Sequence, residues 1–272
     1  VTFLLSLLYL LIFNSCTIEK KIAKQYLKIR PDTDILIMSP DFVYKSNLKE
    51  GEIKNIGSLN NYVKDSLLFS NSLYLQHISD SVLLDRYFSS LIAELTDYGL
   101  NVYTEANIDS FLQLQKPSYI FNLAQIELEE YIVPIEEKEV FDDTIVFYKT
   151  FKLNAVSINS WFEVTRMNTD GYKRKVLYAN HYVFDYLKGR FRKHALTGDV
   201  KFKYYQKEID LEDIYSLAAE LGKKYAGYIF DYILNEKIKE QLPENVDSDK
   251  YYHYDKNTRT LKQAYKERFT EL

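Results

Sequence analysis

The chain has 272 residues, of which 46% are hydrophobic and 27% charged, an ordinary globular balance with length for one large domain plus extensions. Its net charge of −4 provides no overall basic field, so no nucleic acid is expected as a partner. A single cysteine rules out an internal disulfide.

The first thirteen residues read VTFLLSLLYLLIF, apolar and uncharged. The run has the length of a signal-peptide core, and a spanning helix needs about 18 or more apolar residues. Asn14, Ser15 and Cys16 follow, then a charged segment. A small residue before a cysteine at the end of such a core is the requirement for lipoprotein processing. We therefore expect a signal peptide over 1–15, acylation (palmitate) at Cys16 and a polar lipidated tether over 16–33. The expected location is the bacterial cell envelope, with membrane attachment through the lipid, at the outer membrane. Phe13 and Asn14 depart from the usual lipobox, Ser15 conforms, and a basic stretch ahead of the apolar run is missing.

Ile35 to Met38 form a short apolar run closed by Ser39-Pro40, the mark of a buried strand. Residues 41–70 read as a long loop with some local structure. Leu84, Tyr87, Phe88, Leu91, Ile92 and Leu95 recur at helical spacing between a capping Asp80 and Gly99. LNVY at 100–103 predicts a strand, and Asn107 begins a short helix that Pro117 ends. YIFNLAQIELEEYIVP, from Tyr119, begins nearly continuous and turns alternating, which predicts a strand. Residues 134–143 are acidic and read as a loop. Val156, Ile158, Phe162 and Val164 alternate with polar residues, Asn168-Thr169-Asp170-Gly171 supplies a hairpin turn, and a return strand runs toward Gly189. After a turn at Thr197-Gly198-Asp199, Val200, Phe202 and Tyr204 alternate again. Residues 211–241 carry a broad apolar helical stripe ended by Pro243. The tail reads as a partly ordered extension, with Leu261 and Tyr265 docking a short helix. The expected fold is α+β (α/β-like), a mixed sheet with a long antiparallel hairpin packed by two main helices. It forms one domain over 34–241, with an extension over 242–272.

The order ILIMSP strand, SVLLDRYFSSLIAELTDYG helix, YIFNLA strand, VSINSWFEVTRMNTDGYKRKVLYAN hairpin and IYSLAAELGKKYA helix resembles a known α/β domain. That domain is shared by the TolB amino-terminal domain, the LpoB-type penicillin-binding-protein activators and the curli secretion lipoprotein CsgG. The resemblance implies a membrane-tethered domain that binds envelope partners. Two features depart from it. Residues 17–33 are neither long nor Pro-rich, and 134–150 are too short and acidic for pore-forming strands.

No motif for catalysis or for a cofactor emerges. His77, His181, His194 and His253 lack zinc-site spacing, and His181, with Asp185 four residues on, reads as structural. Alternation places Glu127 and Glu129 on one strand face, an acidic ridge; paired carboxylates for glycoside hydrolysis are the competing reading. Trp161, the only tryptophan, points away from Val156, Ile158, Phe162 and Val164. It is a contact residue if that face is open, and core if a helix covers it. Tyr119 is a further candidate contact. With 25 Tyr and 16 Phe, the chain offers either amphipathic aromatic strands or a tyrosine-rich binding surface. The functional expectation is a non-enzymatic lipid-anchored accessory or scaffold that binds another envelope protein or component. Alternatives are a surface glycan-binding or adhesion module and a carboxylate-dependent hydrolase.

Overall fold

The structure, a computed structural model, describes residues 18–29, 32–52, 56–169, 174–244, 246 and 250–272. The expected leader over 1–15, Cys16 and the turn residues Asp170 and Gly171 lie outside the described residues. The fold is α+β, as read from the sequence. Its frame is the antiparallel pair β4 (Ser118–Phe141) and β5 (Thr144–Met167), paired from Ser118↔Met167 to Phe141↔Thr144 with register shifts between Leu123 and Gln125 and between Glu139 and Val140. β1 (Asp34–Met38) lies parallel to β4 and carries β3 (Asn101–Tyr103) on its far side. β2 (Tyr44–Asn47) runs parallel to β4 further along. On the other flank β6 (Lys175–Phe184) pairs with β5.

Two helices cover one face. α3 (Asp80–Asp97) buries Leu83, Tyr87, Leu91 and Leu95, and α5 (Leu211–Gln241) buries Leu221, Tyr225, Ile229 and Ile233. Gly99 ends the first helix at φ 83°, a conformation glycine adopts without steric cost. Reciprocal bonds between Asp210 and Asp213 cap the second helix: each backbone N–H donates to the other's carboxylate, at 2.9 and 3.0 Å. Among the described residues no helix is long and apolar enough to cross a membrane.

Expectations for several segments are corrected. The acidic segment 134–143 is strand, not loop. Its hairpin turns at Asp142 and Asp143, both at positive φ (46° and 58°) as a two-residue turn requires. A solvated two-stranded arm accepts such charges: Glu136 and Lys138 pair at 2.8 Å and both are exposed. The segment read as a polar tether holds α1 (Ile18–Ile29), whose Ile22, Ala23 and Tyr26 are buried, the Tyr26 ring 6.4 Å from Phe230 of α5. Residues 41–70, read as a loop with some local structure, hold β2 and α2 (Asn61–Ser70), and the short helix begun by Asn107 is α4 (Ile108–Leu112). The return strand stops at Phe184. There Asp185 accepts hydrogen bonds from the Asn154 and Ile209 amides at 2.9 and 3.0 Å, and the chain leaves the sheet. β7 (Tyr186–Lys193) and β8 (Val200–Lys207) form a separate ribbon.

The C-terminal segment docks as strands, with no helix there among the described residues. β9 (Tyr251–Asp255) and β10 (Thr260–Ala264) make a hairpin, and β11 (Thr270–Glu271) joins the main sheet beside β6. Side chains of α5 stand in for a neighbouring strand. Asn235 accepts from the Tyr252 amide at 2.8 Å and donates to its carbonyl at 3.0 Å, and Asp231 accepts from the Tyr254 amide at 2.8 Å. Burial, opposed by the Arg268 guanidinium at 3.2 Å, pushes the Asp231 carboxyl up to about 7. Leu261 packs on the core, whereas Tyr265 is exposed.

Candidate functional site

One register shift in β4 decides what the second face of the sheet presents. Before it, Tyr119, Phe121 and Leu123 point to the helices; Phe121 meets Tyr232 of α5 edge-on at 5.8 Å. A bulge lies between Leu123 and Gln125. After it, Ile126, Leu128 and Glu130 are the buried residues, so the odd positions move to the opposite side. Gln125, Glu127, Glu129 and Tyr131 thereby arrive on the face that carries Trp161.

Strand register then orders this face into rows. Gln125, Trp161, Tyr178 and Thr270 lie across β4, β5, β6 and β11. The next row is Tyr44, Glu127, Asn159 and Asn180, and the one after it Ser46, Glu129, Ser157 and Tyr182. Tyr131, Ala155 and Phe184 close the array. With ~4.8 Å between strands and ~7 Å between same-face residues, the surface measures roughly 15 by 20 Å.

Cross-strand bonds fix its polar groups. Ser46 donates to Glu127 at 2.8 Å, Ser157 donates to Glu129 at 3.1 Å, and the Tyr178 hydroxyl donates to Asn159 at 2.9 Å. The Trp161 and Tyr178 rings lean together with centroids 5.0 Å apart. Desolvation first, then the Glu129 charge, hold the Tyr178 phenol above its usual pKa, so it stays a donor. Desolvation and the neighbouring Tyr182 and Glu129 raise Tyr131 likewise. Tyr182 is 54% exposed, Tyr44 and Asn180 are exposed, and Trp161 is half-buried. Phe42 stands at the rim, 4.9 Å from the Tyr44 ring.

Of the residues singled out from sequence, Trp161, Glu127 and Glu129 meet on this face. Tyr119 does not. It is buried on the helix side, with the Arg166 guanidinium 5.3 Å over its ring, because it precedes the bulge. Tyr178, Asn180 and Tyr182 escaped the sequence reading, although their alternation with Leu177, Ala179 and His181 marks them as one face. Glu127 and Glu129 belong to one strand of one surface, without the opposed walls that a hydrolytic pair needs. His181 contacts the Tyr225 hydroxyl at 3.1 Å and lies against Lys224; burial, then that ammonium, lowers its pKa. Among the described residues no cluster of His, Cys, Asp or Glu is arranged to hold a metal ion.

No family model matches the chain, and no curated protein is similar to it. Among solved structures it is similar to a neuraminyllactose-binding hemagglutinin homolog from Helicobacter pylori, at 8% identity over 76% of this chain and 83% of that one. The TM-score is 0.26, at which the likeness identifies neither a shared fold nor a ligand.

Proposed function

We propose that this chain is a non-enzymatic, lipid-anchored accessory of the bacterial envelope that holds an envelope glycan on the open face of its sheet. The observation that carries the reading is the joint presentation of Trp161, Tyr178 and Tyr182 with Glu127, Glu129 and Asn180. Aromatic faces carry negative potential and attract the C–H surface of a sugar ring. Ordered carboxylate and amide oxygens accept from hydroxyl groups at the same surface. A protein partner fits less well, because the cores of protein interfaces are depleted in Glu. The two carboxylates select neutral or amino sugars over acidic ones.

Binding is tested by sedimentation of residues 17–272, which hold every described element, with insoluble envelope polysaccharide. Tyr182→Ala is expected to weaken retention by about tenfold, and Glu129→Gln by about fivefold, from losing one exposed ring and one charged acceptor. Equal retention of both variants and the parent contradicts the assignment. The anchor is tested separately. In cells, Cys16→Ala is expected to abolish palmitate labelling and to release the protein from membranes washed in high salt. An unchanged label and unchanged processing would remove the lipoprotein reading.

A further inference from the structure

The β7–β8 ribbon has two unlike faces. Its inner face packs on the distal arm of the β4–β5 hairpin: Phe191 lies 5.9 Å from Phe147, and Phe202 lies 5.3 Å from Phe151. Its outer face is built from the cross-strand pairs Tyr186↔Lys207, Lys188↔Tyr205, Arg190↔Lys203 and Arg192↔Lys201. Two of these set like charges directly opposite each other, an arrangement that destabilises a ribbon. Among the described residues Lys188, Arg190, Arg192, Lys201 and Lys203 have no acidic partner within 4.0 Å; only Lys207 reaches one, Asp213, at 3.7 Å. The ribbon carries seven Lys and Arg against one Asp, in a chain whose net charge is −4. Its lone acid, Asp199, is engaged by the Thr197 hydroxyl at 2.8 Å within the turn.

This charge has no structural role within the described fold, which points outward to an anionic partner. The form of the surface narrows the choice. Lys188, Arg190, Arg192 and Lys203 line a shallow depression of about 460 Å³. Tyr186 and Tyr205 are exposed beside them, and Leu196 stands at the tip, 92% exposed. A cationic array, flanking tyrosines and an apolar tip together match the headgroup layer of a bilayer, where Tyr is enriched and cations meet lipid phosphate. A linear polyanion engages the cations and leaves Leu196 without a role.

We propose that the β7–β8 ribbon lies on an anionic phospholipid surface, its outer cations against the phosphates and Leu196 in the interfacial layer. This assignment stands apart from both the Cys16 anchor and the glycan face. The test is co-sedimentation of residues 17–272 with phosphatidylcholine vesicles that contain, or lack, about one third phosphatidylglycerol. Binding is expected only with phosphatidylglycerol, and is expected to disappear in high salt. The double variant Arg190→Gln with Lys203→Gln is expected to bind about 25-fold more weakly, near fivefold per cation. Removing an opposed like-charge pair relieves repulsion, so this loss cannot come from unfolding; an unchanged or raised melting temperature accompanies it. Leu196→Ser is expected to weaken vesicle binding about threefold and to leave binding to inorganic polyphosphate unchanged. Equal binding to both vesicle types, or a double variant that binds like the parent, overturns the proposal. So does polyphosphate binding without vesicle binding.

Discussion

Replacing Glu130 with leucine is expected to lower the unfolding free energy by about 3–5 kcal/mol. The carboxylate is fully buried and accepts from three consecutive backbone amides, those of Leu73, Tyr74 and Leu75, at 2.8, 2.9 and 3.4 Å. Lys49 reaches it at 2.8 Å and donates to Asn154 at the same distance. Without the carboxylate, an ammonium with only 4% of its side chain exposed and three amides lose their partner together. Lys49→Met is expected to cost less, about 2–3 kcal/mol, because the three amide bonds survive. Chemical denaturation of both variants checks the order, and a loss below about 1 kcal/mol for Glu130→Leu would show that solvent reaches the site. The cluster also bears on the proposed glycan face. It pins the end of β2 against β4, and β2 brings Tyr44 and Ser46 to the open face.

Gly222→Ala is the second large effect. A methyl group there would meet the Tyr87 carbonyl oxygen at 2.2 Å and the Leu91 nitrogen at 2.9 Å. Both obstacles are backbone of α3, so a rotamer change cannot relieve them. Alanine improves intrinsic helix propensity by about 1 kcal/mol, but the two helices must separate where they cross. The expected net loss is about 2–3 kcal/mol, read as a fall of about 5–10 °C in melting temperature for a chain of this size. An unchanged or raised melting temperature would show that the helix pair is loosely packed.

Periodicity alone made several elements legible. The helix over 211–241, the Asp80 helix with its Gly99 stop and the alternating strand around Phe162 all bury the side that their pattern marks. What escaped was context. IEKKIAKQYLKI looks like a tether because charges dominate it, yet Ile22, Ala23 and Tyr26 share one helical side that meets α5. YYHYD pairs with 260–264 and docks its other edge on Asn235 and Asp231, residues of a helix that no local pattern connects to it. The open sheet face was half legible. Alternation sets Trp161 opposite Val156 and Ile158 and groups Glu127 with Glu129, as the strands do. The shift from odd to even apolar positions at Leu123 and Ile126 is the written trace of the bulge, and following it places Glu130 on the opposite side from its neighbours. The cationic ribbon was hidden by averaging, since the acidic remainder of the chain outweighs it.

The central claim is that the open sheet face binds a glycan, and the single tryptophan makes it directly measurable. Titrating neutral and amino-sugar oligosaccharides into residues 17–272 is expected to shift and saturate Trp161 emission. In Tyr182→Ala the same titration is expected to need about tenfold more sugar. Emission that stays unchanged to millimolar sugar, or saturates identically in Tyr182→Ala, contradicts the account.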